Sequence, residues 1–170
     1  MSKSQLKKIL QSMDKSEIIT LVLEMYDAKK EIKGYLDYMA NPNEKEQFAK
    51  AKQIVMNEYF PAKRYPKTRL AVAKKAISDF SKLKPLPELE AELMIFLVEC
   101  GCRFTNEYGD IGENFYIGME NNFEKALKFM KRHGLLEKFR ANAEQCIEWS
   151  SVCGYGFADA IDSIFDDYYS

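Results

Sequence analysis

Apolar side chains recur along this chain at intervals of three and four residues almost from end to end, and no stretch sustains a period of two. The first spacing gathers apolar groups on one face of a helix, while the second is what a half-buried strand requires. An all-α fold follows. The helix breakers agree with it: the chain holds only 8 Gly and 5 Pro, and most stand where helices would have to end. Ser2 with Gln5 and Asp14 with Glu17 have the spacing of capping boxes, each ahead of an apolar run. Asn43 with Glu46 repeats the pattern before Phe48, Ala51, Ile54 and Val55.

These signals place helices over about residues 2–13, 14–28, 31–39 and 43–60. Pro66 suits the first position of a helix running to about residue 83. After the break at Pro85-Leu86-Pro87, helices are predicted over 88–107, 113–133, 137–153 and 157–168. Gly134 is placed to take the left-handed stop conformation. About nine helices with short connections form either a multi-helical bundle or a short α-solenoid, read as a single α-helical domain over residues 1–170. Projected at about 100° per residue, the 88–107 helix confines Glu92, Glu99, Arg103 and Asn106 to a narrow arc and is apolar elsewhere. It is therefore the expected central helix.

Charge is where the composition becomes informative. Lys plus Arg number 25 and Asp plus Glu 26, for a net charge of -1. Residues 1–85 nevertheless hold 18 basic and 10 acidic residues, and residues 86–170 hold 7 and 16. Much of the negative charge falls on the last helix, at Asp159, Asp162, Asp166 and Asp167. The longest apolar run, Leu93 to Val98, is far short of the roughly 20 residues of a membrane-spanning helix. Residues 1–11 lack the apolar core of an export signal, so no membrane association and a cytoplasmic location are expected. Four cysteines are too few for a disulfide scaffold, which fits a reducing compartment.

The chemistry-bearing side chains exclude several functions. Cys100 and Cys102 point about 200° apart on a helix, and Cys146 and Cys153 stand about 10.5 Å apart along one, so neither pair closes on a zinc ion. His133 is the only histidine, which removes paired Glu-x-x-His di-iron ligation and leaves any Ser or Cys nucleophile without a choice of base. No phosphate-binding glycine loop is present. The Glu107–Glu113 loop gathers three carboxylates without the ligand order of a calcium loop. The expectation is no catalytic residue, no cofactor and no metal site. An enzyme working through carboxylates and tyrosines would need a pocket holding a carboxylate of raised pKa.

Residues 61–84 carry eight basic residues against Asp79 alone. On a continuous helix, Lys63, Lys67, Lys74, Lys75 and Lys82 fall on one arc of about 120°, opposite Leu70, Ala73, Ala76, Ile77, Phe80 and Leu83. Such a face suits an acidic protein partner, and it can also neutralise phosphates without reading sequence. The stripe is lysine-rich, with no aromatic interleaved to stack on bases. Arg69 and Glu107 both project onto apolar arcs of their helices. A charge there needs a counter-ion, so the two are candidates for a buried ion pair with each other, or each with another ion.

The segments Pro66-Lys-Thr-Arg-Leu-Ala-Val-Ala-Lys-Lys-Ala-Ile-Ser-Asp-Phe80, Phe104-Thr-Asn-Glu-Tyr-Gly-Asp110 and Gly154-Tyr-Gly-Phe157 resemble a domain-of-unknown-function family of small bacterial helical proteins. The resemblance covers nearly the whole chain. It implies a bacterial cytosolic protein and supplies no activity and no site residue. From the residues themselves, the expected function is a non-enzymatic helical protein-interaction module with a basic helix face at 63–84. The alternative is a nucleic-acid-associated protein using the same lysines.

Overall fold

The computed structural model describes residues 1–170 and contains nine α-helices and no strand. In chain order these are α1 (Lys3–Ser12), α2 (Lys15–Ala28), α3 (Lys30–Ala40), α4 (Glu44–Tyr59), α5 (Leu70–Ser81), α6 (Pro87–Tyr108), α7 (Glu113–His133), α8 (Arg140–Ser150) and α9 (Phe157–Tyr169). A single 3-10 turn, Glu137–Phe139, leads into α8. The expected helix over 137–153 is thus shorter, and its first residues wind more tightly. No helix is long and apolar enough to cross a membrane.

The tertiary contacts fall into two compact units, Met1–Asn43 and Glu44–Ser170. In the first unit both anticipated capping boxes form. Ser2 Oγ accepts from the Gln5 N–H and Asp14 Oδ1 from the Glu17 N–H, while each Gln5 or Glu17 side chain reaches back to the cap N–H. α2 and α3 pack together, tied by Tyr26 Oη donating to Asp37 Oδ1 at 2.8 Å and by Lys33 Nζ lying 5.1 Å from the Tyr26 ring centre. No residue of α1, α2 or α3 is buried.

The second unit is built around α6, as its nearly all-round apolarity predicts. Leu93, Ile95, Leu97 and Val98 are fully buried, which a helix achieves at such close spacing only when neighbours cover several sides. Those neighbours are α4, α5, α7 and α8, and α9 closes over α7 and α8. This arrangement is a bundle around one central helix, because α6 touches helices distant in sequence as well as adjacent ones. Gly101 allows the closest approach: a Cβ there would collide with Met119 Sδ on α7. Gly134 takes φ 68°, the left-handed stop foreseen for α7.

The connections are fixed by polar contacts. Asp110, in the α6–α7 loop, accepts from the Tyr116 hydroxyl and from the Gly154 N–H at 3.0 Å, which ties that loop to the α8–α9 turn. The Tyr116 hydroxyl and the Gly154 N–H hold the Asp110 carboxyl below its ordinary range. Tyr116 stacks on Phe157 at 4.5 Å between ring centres. Two of the three sequence segments that carry the family resemblance therefore meet at one corner of the bundle.

Candidate interaction surface

The basic segment does not form the continuous helix expected of it. α5 starts at Leu70, so Lys63 and Lys67 lie in an extended connection, and only Lys74 and Lys75 stand on the helix, with Lys82 at its C-cap. The cause is Glu58, the penultimate residue of α4. Its backbone carbonyl accepts from the Lys67 and Thr68 N–H groups at 3.0 and 2.9 Å. Its carboxylate accepts from the Arg69 backbone N–H at 3.2 Å, from Arg69 Nε at 3.0 Å and from Arg69 Nη2 at 2.7 Å. One residue thus satisfies three consecutive backbone donors, holding residues 67–69 out of the helix. Thr68 follows the required path at φ 49°, a conformation rare outside glycine. Pro66, placed at a helix start by sequence reasoning, instead keeps Tyr65 extended.

Arg69 and Glu107 do not pair with each other. Arg69 pairs with Glu58, and Glu107 Oε1 accepts from Arg103 Nε at 2.6 Å on its own helix. Nor is either side chain buried: Arg69 is 49% and Glu107 38% exposed, and the buried member is Glu58 at 3%. The helical projection erred because Arg69 precedes the helix on which it was projected. The Arg69 guanidinium holds the Glu58 carboxyl below the usual carboxylate range, against the opposing effect of burial. The pair is an anchor for the connection rather than a reactive centre.

An aromatic cluster joins the residue after α4 to the last turns of α6. Phe60 meets Phe104 at 5.9 Å and Phe104 meets Tyr108 at 4.8 Å between ring centres, with the Arg103 guanidinium 4.5 Å from the Phe60 ring. In the connection that follows, Lys63, Arg64, Tyr65 and Lys67 are exposed, Tyr65 at 91%, and Pro66 is half-buried. Sequence reasoning passed over Tyr65 because it sought aromatics on the helical lysine arc. The available signal was the flanking pair Pro61 and Pro66, which interrupts any helix there.

On α5, Asp79 draws in two of the lysines. Lys75 Nζ reaches Asp79 Oδ2 at 2.7 Å and Lys82 Nζ reaches Oδ1 at 2.8 Å, and these ammonium groups hold the Asp79 carboxyl below its ordinary value. Lys74 is exposed beside a shallow apolar groove formed by Ile77 of α5 and by Met94 and Leu97 of α6. The five lysines thus divide into two in the loop, two bridged by Asp79, and Lys74. At the other flank, α9 exposes Asp159, Asp162, Asp166 and Asp167.

The remaining titratable groups are part of the packing. Cys100, Cys102 and Cys146 are buried, and burial pushes the Cys100 thiol up to about 12. No three His, Cys, Asp or Glu side chains are grouped to hold a metal ion. Glu99, half-buried on α6, is raised by desolvation, although Asn142 Nδ2 donates to it at 2.7 Å.

No curated protein and no solved structure matches the chain. A family model described as a family of unknown function (DUF6155) matches residues 1–166, so the chain belongs to that family.

Proposed function

We propose that this protein is a non-enzymatic helical interaction module that engages an acidic protein surface through its basic segment 63–84. The observation that carries this reading is the anchored, outward-facing Lys63-Arg64-Tyr65-Pro66-Lys67 loop. Tyr and Arg are the side chains most often found as binding hot spots, since each offers a large contact area with a polar end. The Glu58 clamp orders the residues at the loop's base before any partner arrives, which lowers the entropy cost of binding. Asp79 bridges Lys75 and Lys82 and so offsets part of the helix's positive charge toward any anionic partner.

A nucleic-acid reading keeps one observation in its favour. Tyr65 is an exposed ring among cations, the combination on which single-stranded bases stack. The two readings separate in a titration of the full chain with a fluorescent poly-glutamate peptide and with a single-stranded oligonucleotide. The acidic-partner reading expects peptide binding that weakens in Tyr65→Ala and strengthens in Asp79→Asn, which releases two lysines. Oligonucleotide binding at about 10⁻⁴–10⁻⁶ M with a steep salt slope, in the absence of peptide binding, transfers the surface to nucleic acid. Failure of both ligands to bind rejects this use of the loop.

A further inference from the structure

The first unit poses a separate problem, independent of the basic loop. Residues 1–43 form three well-made helices, yet none of the residues in those helices is buried. Leu6, Ile9, Ile19, Val22, Leu23, Met25 and Met39 are all exposed. Ordering a residue's backbone costs conformational entropy, and apolar burial is the main term available to offset it. A unit near 40 residues ordinarily needs a disulfide, a metal or a partner chain. Residues 1–43 contain no cysteine and no histidine, and no metal-holding group of side chains exists in the chain. A partner chain is the remaining staple.

The charges indicate which chain. α1 carries Lys3, Lys7 and Lys8 and no acidic residue, and Lys3 stands in the first turn, where a helix dipole favours an anion. α2 carries Glu24 and Asp27 in its second half and no basic residue in its last turn, again against its own dipole. None of these five side chains makes an ion pair within the molecule. Each helix therefore holds the counter-charge that the other lacks. Lys3 and Lys7 border an apolar trough floored by Leu6 and Leu10 of α1. On α2, Asp27 lies one turn beyond Leu23 on the same side.

We infer that residues 1–43 are a homodimerisation arm, in which α1 of one copy lies antiparallel against α2 of a second copy. Leu6 and Leu10 then meet the exposed Ile19 and Leu23 stripe, and Lys3 and Lys7 meet Glu24 and Asp27. Each copy offers one helix of each kind, so the contact forms twice about a two-fold axis and closes.

The test is sedimentation of the full chain over a dilution series, with amide exchange of α1 and α2 followed in parallel and Trp149 fluorescence reporting the second unit. The expected result is a dimer with protected arm amides. Leu23→Glu and Lys7→Glu should each shift it to a monomer with unprotected arms and unchanged Trp149 fluorescence. Combining Lys7→Glu with Glu24→Lys should restore the dimer, because in the antiparallel register these two face each other and every copy then carries both halves of a reversed pair. A monomer with protected arms places the cover within one copy and overturns the inference. A monomer with unprotected arms overturns the second-copy occupant and leaves the loop reading untouched. A dimer insensitive to all of these substitutions puts the interface elsewhere and also overturns it.

Discussion

Replacing Glu58 by Gln tests whether one buried carboxylate holds the basic loop in place. The carboxylate is 3% exposed and accepts three hydrogen bonds from Arg69. Gln keeps the shape but offers one acceptor oxygen, and it turns an N–H toward a donor. Removing one partner of a fully buried pair costs about 3–5 kcal/mol, chiefly because a charge is left without compensation. Here the abandoned guanidinium is half exposed, so water solvates it and the larger part of that penalty disappears. What remains is the loss of charge-assisted bonds to a buried acceptor, about 2 kcal/mol. For a unit of this size that lowers the melting temperature by about 6 °C.

The pH dependence fixes the sign. Glu58 has a folded pKa below its ordinary value, so its contribution is fully present above the unfolded carboxylate value of about 4.3 and is lost as pH falls through the lower folded value. Urea unfolding followed by Trp149 fluorescence should show a constant gap between wild type and Glu58→Gln from about pH 5 to 8, closing below about pH 4. Amide exchange adds a local readout. The Arg69 N–H should exchange faster, while Lys67 and Thr68, bonded to the backbone carbonyl of Glu58, should remain protected. A gap under about 0.5 kcal/mol at neutral pH, or one that widens in acid, refutes the reasoning.

Two further outcomes follow from packing. Gly101→Ala should destabilise by about 1 kcal/mol, as collision with buried Met119 outweighs the gain in helix propensity, and an increase in melting temperature would show that α6 and α7 are less closely apposed. Cys153 should be the first thiol alkylated in the native protein, because Cys100, Cys102 and Cys146 are buried and burial raises the Cys100 and Cys146 thiols; mass spectra showing parallel labelling of several cysteines would contradict that order.

How much of this was legible beforehand follows the range of each interaction. Capping at Ser2 and Asp14, the stop at Gly134 and the all-round apolarity of α6 are written within a turn or two of sequence, and each stands where its local pattern puts it. The path of residues 61–69 is set by Glu58, whose role depends on the chain doubling back. Helical projection assumes the very continuity that this contact breaks, so it gave Arg69 a false face, and of the two pairings offered the structure has the one in which Arg69 and Glu107 each meet another ion. Lys63 and Lys67 left the lysine arc for the same reason, and Tyr65 emerged as the exposed group that no periodicity marks. The division at Asn43 was invisible because α1 to α3 have apolar spacing as good as that of the core helices. Spacing shows which face is apolar, and only the tertiary contacts show whether anything covers it.

The positions of α5 and α9 within the bundle have an electrical consequence. α5, with the basic connection before it, packs on α4 and α6, whereas α9 and its four exposed aspartates pack on α7 and α8. The two surfaces lie on different helices of the second unit, so that unit has a dipole moment although its 18 basic and 20 acidic residues nearly cancel. In the field of a charged surface such a molecule experiences little net force but a strong torque. Facing a negatively charged surface, it turns before it is drawn in, and arrives with its basic side leading.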